Sequence, residues 1–375
     1  MSRVYMDYNA TTPLRPEARA AMVAAMDVVG NPSSVHAEGR AAKMLVEKAR
    51  AQVAALVGCA PKEVIFTSSA TEAAALAMPE FASVCASPVE HDCVLSWSSA
   101  AENGAGRLDV DATGAILPSI GGAAFEESLW DDLVAVQAAN SETGVLQDTF
   151  KLAQSVWACK RDAKILVDAV QAVGKLPFDL GNSGADYVMV SAHKLGGPKG
   201  VGALCLKLGN DVAAKLRGGG QEMGRRAGTE NVIGIAGFGA AAEAAARDVA
   251  DGRWEEVENH RDFMEAAIED AANMTIFIGN TAERLPNTSC IAVPGWKGET
   301  QVMQMDLAGF GVSAGSACSS GKVRASTVLT AMGYDEVTAQ SAIRVSLGLE
   351  TTRDEVERFA MAWRAAYGKF RARAA

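Results

Sequence analysis

Between residues 133 and 194 the chain carries three short apolar runs, LVAVQAAN (133–140), AKILVDAV (163–170) and DYVMVSAHK (186–194), with helix-like or loop segments between them. A strand with one wet face alternates apolar and polar residues, whereas runs this continuous suit strands buried on both faces of a largely parallel sheet. The chain therefore reads as an α/β protein. Each run ends on polar residues: Asn140 after the first, Asp168 in the second, and Ser191, His193 and Lys194 in the third. Ligands of open α/β sheets bind beyond the carboxyl ends of the strands, so these side chains should converge on one site.

The flanking sequence fits that layout. SVHAEGRAAKMLVEKARAQVAALVG, residues 34 to 58, has helical apolar spacing and a glycine stop. EVIFTSSATEAAALAM then reads as a short strand, a small polar turn and an alanine-rich helix opening near Thr71 and Glu72, a geometry suited to phosphate. GGGQEMGRRAGTEN, 218 to 231, is too long for a simple turn, and a helical stretch runs from about Ile233 to Asp270. From NTSCIAV (287–293) to a helical tail near 352–373 the chain looks like a smaller α+β unit, which suits a length of 375 residues.

A net charge of −10 disfavours nucleic-acid partners, and the chain has no apolar run that calls for a membrane. MSRVYMDYNATTP carries no secretory signal, so a cytoplasmic protein is expected. Its seven cysteines are scattered without a CxxC pair, which argues against a disulfide framework and against zinc, and no metal site is expected. Several, such as Cys205 in VGALCLKL, sit in apolar runs and read as small buried hydrophobes. Cys318 differs, because GSACSSG (315–321) has nothing to anchor a core; an exposed, mobile thiol is expected there.

The strongest local signal is SAHKLGGPKGVGAL, 191 to 204. A lysine at the end of a buried strand is costly unless its amine is used or paired, and a desolvated amine makes a good Schiff-base nucleophile. Lys194 alone is equally compatible with a solvated surface turn. VDAVQAVGK adds a strand-end carboxylate, Asp168, and Gln171 three residues on. Pyridoxal phosphate needs such a set: a lysine for its aldehyde, an acid for its pyridine nitrogen and a donor near its ring oxygen. His91, in SPVEHDCVL, could stack on a flat ring or move protons, or be an ordinary loop histidine. His260, on the charged helix EEVENHRDF, reads as solvated. GFGAAA (237–242) lies inside a helical run without a preceding strand, so it is no dinucleotide fingerprint.

Taken together, SATE (69–72), VEH (89–91), VDAVQAVGK, SAHKLGGPKG, GGGQEMGRRAGTEN, GSACSSG and AIRVSLG (342–348) resemble, in order and spacing, the cysteine desulfurases of the class V aminotransferase group. YMDYNATTP and NPSSVHAEGR extend the resemblance, which runs from about residue 5 to 350. It implies a homodimer of pyridoxal-phosphate fold-type I subunits, with a mostly parallel-sheet large domain (15–245) and a smaller α+β domain from both chain ends (1–14 plus 246–375). It further implies that Lys194 bonds the cofactor, Asp168 pairs with the ring nitrogen, Gln171 faces the ring oxygen and His91 stacks on the ring. Ala70, Thr71, Ser191 and His193 would hold the phosphate, joined by Thr229 from the other subunit. Asn140 would sit beside substrate and cofactor, Arg344 would clamp the substrate carboxylate, and Cys318 would be the nucleophile.

The implied reaction converts L-cysteine to L-alanine and leaves the sulfur as a persulfide on Cys318, for delivery to an acceptor such as an iron-sulfur scaffold protein. The chain departs from the family at AAALAM after SATE, at Met223 where an arginine is common, and over a shortened stretch from Met78 to Asp131. A related class V enzyme, such as a selenocysteine lyase or an aminotransferase, is the alternative, as is a catalytically weakened paralogue with a binding role.

Overall fold

The protein is represented by a computed structural model that describes residues 3–99, 106–120, 123–124, 132–315 and 325–374. The three apolar runs become neighbouring strands of a six-stranded sheet. In chain order its strands are β1 (Val64–Thr67), β2 (Val84–Ala86), β3 (Leu133–Gln137), β4 (Lys164–Asp168), β5 (Tyr187–Ser191) and β6 (Gly202–Leu206). The spatial order is β1, β6, β5, β4, β3, β2. Pairings among β2, β3, β4 and β5 are parallel, while β6 runs antiparallel to both β5 and β1, so the sheet is mixed with one reversed strand.

The continuous hydrophobicity follows from burial on both faces. Along β3, Val134 and Val136 join one core while Leu133 and Ala135 join another. β5 splits likewise, with Val188 and Val190 on the first face and Tyr187 and Met189 on the second. The first core is roofed by helices Ala37–Val57, Thr149–Cys159 and Val232–Ala250, and the second by Ala70–Ala77 and Asp92–Ser98. The 34–58 pattern ends as expected, on Gly58 in the left-handed region with φ 71°. The glycines of GFGAAA serve helix packing: a Cβ on Gly239 would lie 2.5 Å from the Ala49 Cα of the crossing helix.

The helical stretch expected from Ile233 to Asp270 is two helices, Val232–Ala250 and Trp254–Glu269, broken at Gly252 with φ 68°. The positive φ turns the second helix away from the large sheet and onto a smaller one. That sheet comprises β7 (Ile276–Ile278), β8 (Thr288–Ala292), β9 (Ser313–Ala314) and β10 (Ala342–Ser346), in the order β7, β8, β10, β9 and antiparallel throughout. The tail helix Arg353–Ala374 packs Phe359, Trp363 and Tyr367 against it. Val4–Tyr5 pairs in parallel with Phe310–Gly311, which ties the N-terminus to this smaller unit.

His260 is a correction. It is 9% exposed rather than solvated, because Val257, Arg261, Met264 and Ile268 of the same helix form a buried stripe at helical spacing and His260 falls within it. Among the described residues no helix is long and apolar enough to cross a membrane.

Candidate active site

The carboxyl ends of β3, β4 and β5 open into a cavity of ≈ 380 Å³ whose wall includes His91, Gln137, Asp168, Gln171, Ser191, His193, Lys194 and Arg344. Parallel strands bring their ends together without any local sequence contact, which is why residues 91, 168 and 194 share one wall, to which the smaller sheet adds Arg344. The start of helix Ala70–Ala77 completes it through Ser69, Ala70 and Thr71. Gly202 permits this approach: a Cβ there would lie 2.8 Å from the Ser69 carbonyl carbon.

Lys194 follows β5 in a short turn, and its Nζ donates to the carbonyls of Asn9 at 2.6 Å and Ala10 at 3.0 Å. On the neighbouring strand Asp168 accepts from the Val170 amide at 3.0 Å. Burial raises the Asp168 pKa above the ordinary carboxylate value, opposed by that amide and by the nearby His91 and Lys194. A carboxylate so desolvated would gain from a cationic partner in the cavity. His91 caps helix Asp92–Ser98, its Nδ1 accepting from the Cys93 amide at 3.1 Å, so in the neutral ring the proton is on Nε2.

The start of helix Ala70–Ala77 is the anion-seeking end. Its macrodipole is positive there, and Ser69 caps it by accepting from the Glu72 amide at 3.2 Å. Glu72 does not oppose an anion, because its carboxylate is held by Arg226 at 2.8 Å and by the Ser68 amide at 2.7 Å. His193 stands nearby with Nδ1 3.2 Å from Thr11 Oγ1. Burial, with Lys194 and Lys199 close by, lowers its pKa to about 4, so the imidazole is neutral near pH 7.

Also in this wall, Arg344 on β10 donates through Nη1 to the Ser141 carbonyl at 3.0 Å and through Nη2 to Asp7 Oδ1 at 2.8 Å. Its Nε is buried without a hydrogen-bond partner, as is Nε2 of Gln137 in the same wall. Unsatisfied buried donors are expensive, and here both belong to residues of the cavity wall. The cavity wall thus offers an anion seat, a guanidinium, an amine and a carboxylate.

Of the residues named from sequence, Ala70, Thr71, His91, Asp168, Gln171, Ser191, His193, Lys194 and Arg344 line this cavity. Asn140 sits just behind: its Nδ2 donates to Val89 O at 3.1 Å, and its Oδ1 accepts from the Glu142 and Thr143 amides, both at 2.9 Å. Thr229 is exposed on the glycine-rich segment and is not among the residues lining this cavity. On that segment Glu222 and Met223 both take positive φ, at 48° and 58°. Glu222 is fixed there by a bidentate pair with Arg50, at 2.7 and 2.9 Å. Cys318 lies outside the described residues.

Sequence reasoning missed Asp7, Asn9, Gln137, Glu142 and Lys175. Asp7 and Asn9 stand in YMDYNATTP, where nothing local marks a residue whose partners are more than a hundred positions away; Lys175 ends VDAVQAVGK, with one partner, Gln171, four positions away and the other, Asn9, 166 away. Glu142 is half-buried, with its carboxyl accepting from Ser326 Oγ at 2.6 Å; desolvation raises its pKa to about 7, opposed by Ser326 and Arg344.

The family model for aminotransferase class-V matches residues 4–359. A cysteine desulfurase of Cereibacter sphaeroides is 40% identical over 96% of this chain and 94% of its own length. Among solved structures, a NifS-like protein from Rickettsia africae superposes with a TM-score of 0.88 at 32% identity, covering 98% of this chain and 99% of that one. SspA, solved in complex with cysteine, gives a TM-score of 0.76 at 26% identity over 93% of this chain and 100% of its own.

Proposed function

The chain belongs to the class-V aminotransferase family and to its cysteine desulfurases, and from that premise we propose that it uses pyridoxal phosphate to convert L-cysteine to L-alanine and passes the sulfur to a protein acceptor through Cys318. The observation that carries this reading is the convergence of Lys194, Asp168 and Arg344 on one cavity of ≈ 380 Å³.

The residues present fit the cofactor. Asp168 is a buried carboxylate at the cavity wall whose pKa burial raises, so its ionised form would be favoured by a protonated pyridine nitrogen beside it. Ser69, Ala70, Thr71, Ser191 and His193 gather at the positive end of a helix, where a phosphate would bind. His91 and Gln171 would meet the ring. When bound, pyridoxal phosphate supplies an electron-withdrawing ring that lets a proton leave the substrate Cα.

The chain's own residues do the rest. The Arg344 guanidinium would meet the substrate carboxylate, while Asp7 and the Ser141 carbonyl hold it in place. As a free amine, Lys194 Nζ is the base for the Cα proton, and the carbonyls of Asn9 and Ala10 accept its own N–H groups. The Cys318 thiolate would attack the substrate sulfur. An S–S bond then forms as the C–S bond breaks, and the electron pair of the broken bond stays with the carbon that becomes the methyl of alanine.

A homodimer belongs to the same proposal. Val29 and Val35 are 93% and 87% exposed, and Thr229, exposed and not among the residues lining this cavity, would contribute to a neighbouring subunit's site. An iron-sulfur scaffold is the acceptor class proposed, in the cytoplasm, where thiols stay reduced.

The test is direct. Purified protein loaded with pyridoxal phosphate and given L-cysteine should release alanine and, with a thiol reductant, sulfide in equal amounts; loaded protein that yields neither refutes the proposal. Cys318→Ser should keep the cofactor and its absorbance change on cysteine addition while sulfide release falls at least about 100-fold. Retained turnover would remove Cys318 from the nucleophile's role.

Glu142 adds a pH signature. Above its pKa of about 7 the ionised carboxylate competes with substrate for the field of Arg344, so KM for cysteine should rise roughly two- to fivefold through that point. Glu142→Gln should flatten the rise. The linkage has a matching sign: a carboxyl whose folded pKa is raised contributes stability below its unfolded pKa and loses it as pH climbs toward about 7. Thermal melts of wild type and Glu142→Gln should therefore diverge over that window, with the wild type losing stability.

A further inference from the structure

Lys175 is 4% exposed and faces no carboxylate among the described residues. It does not line the cavity, and the reaction described above makes no use of it. Its Nζ donates to Gln171 Oε1 at 2.8 Å and to Asn9 Oδ1 at 3.0 Å. Burial, with Lys194 and Arg344 nearby, pushes its pKa well below the ordinary lysine value, which favours the neutral amine. A buried lysine is a costly way to fill core space, where an apolar side chain of the same length would serve. What it touches accounts for it.

Both acceptors are amide side chains whose orientation matters to the site. With Gln171 Oε1 committed to Lys175, the Nε2 end donates to the Asn9 carbonyl at 3.0 Å, leaving a second N–H for the cavity that Gln171 lines. Asn9 is 1% exposed and held on every side. Its amide donates to Ser346 Oγ at 3.0 Å, its Nδ2 to Thr288 Oγ1 at 2.8 Å, and its Oδ1 accepts from Asn287 at 3.1 Å as well as from Lys175. The Asn9 carbonyl is then the acceptor that receives Lys194 Nζ at 2.6 Å.

We propose that Lys175 is a positioning residue for the reaction: its buried amine fixes the Gln171 carboxamide and Asn9 together, and through the Asn9 carbonyl sets the place of the Lys194 amine. This rests on the desulfurase reading, and it adds a chain of contacts, Lys175 to Asn9 to Lys194, that joins the N-terminal segment to the carboxyl ends of β4 and β5.

The test uses the full-length protein loaded with pyridoxal phosphate. Lys175→Met keeps the side-chain volume and removes the donor. The variant should bind pyridoxal phosphate within about threefold of wild type. The midpoint of its visible absorbance titration with pH, read without substrate, should move by at least about half a unit, because the hydrogen-bonding of Lys194 and Gln171 changes. Its kcat for cysteine should fall at least about tenfold with KM changed less than threefold. In a Gln171→Leu background the same substitution should have a much smaller further effect on the midpoint, as expected for residues acting through one contact.

An unchanged midpoint with kcat within twofold overturns the proposal, and so do additive effects in the double variant. Should Lys175→Met not fold, Lys175→Gln takes its place, its shorter amide reaching fewer of the same acceptors, and the same two results decide. Wild-type protein that loads pyridoxal phosphate yet leaves cysteine intact would refute the desulfurase reading alone, since the midpoint comparison needs no substrate.

Discussion

Lys194→Ala should reduce cysteine turnover by at least about 10⁴-fold, to the limit of detection in a sulfide assay, while the protein stays folded. The physical case is that one atom serves twice. Nζ is the only amine in the cavity wall among the described residues, so the variant loses both the bond to the cofactor's aldehyde and the base for the Cα proton. The fold should tolerate the change, because Lys194 is half-buried and gives up two hydrogen bonds to carbonyls, each contributing about 1 kcal/mol net, while the Asn9 carbonyl keeps its bond from Gln171. Cofactor added to the variant should remain removable by dialysis. Turnover within tenfold of wild type would show that the amine assignment is wrong.

Asp168→Asn should lower kcat by about 10² to 10³-fold and at the same time make the cofactor-free protein more stable. The two effects have one cause. The buried carboxylate is desolvated and its pKa is raised, so its ionised form costs stability in the cofactor-free state. A group whose folded pKa is raised contributes stability below its unfolded pKa and loses it as pH rises, and the neutral amide has no such dependence. At pH 7 the cofactor-free variant should therefore melt above the cofactor-free wild type. With pyridoxal phosphate bound the order should reverse, since only the carboxylate can hold a protonated ring nitrogen. Melting curves of both proteins with and without cofactor, beside kcat, check this; a variant destabilised in the cofactor-free state would show that Asp168 is satisfied within the protein.

Much of the site was legible before any coordinates. Asp168, Ser191 and Lys194 close apolar runs, and a polar residue at the end of a doubly buried strand has few roles other than a ligand site. Thr71 followed a strand and a small-residue turn, and such turns open helices. His260 misled because a charged helix surface was read without knowing which side met the core, and its stripe with Val257, Met264 and Ile268 shows only once that face is fixed. The break at Gly252 was hidden by alanine-rich helices on both sides, since composition there is helical throughout.

By itself the sequence determined the central strands, the helices at 34–58 and after SATE, and the chemistry carried at the strand ends, because burial pattern, capping residues and glycine stops act over a few residues. Tertiary structure alone decided what surrounds those ends. Asp7 holds an arginine 337 positions away, and Asn9 joins Lys175 and Lys194 to Thr288 and Ser346. Whether a buried carboxylate or lysine keeps its charge depends on which groups the fold packs against it, and packing of that range leaves no periodic trace in the chain.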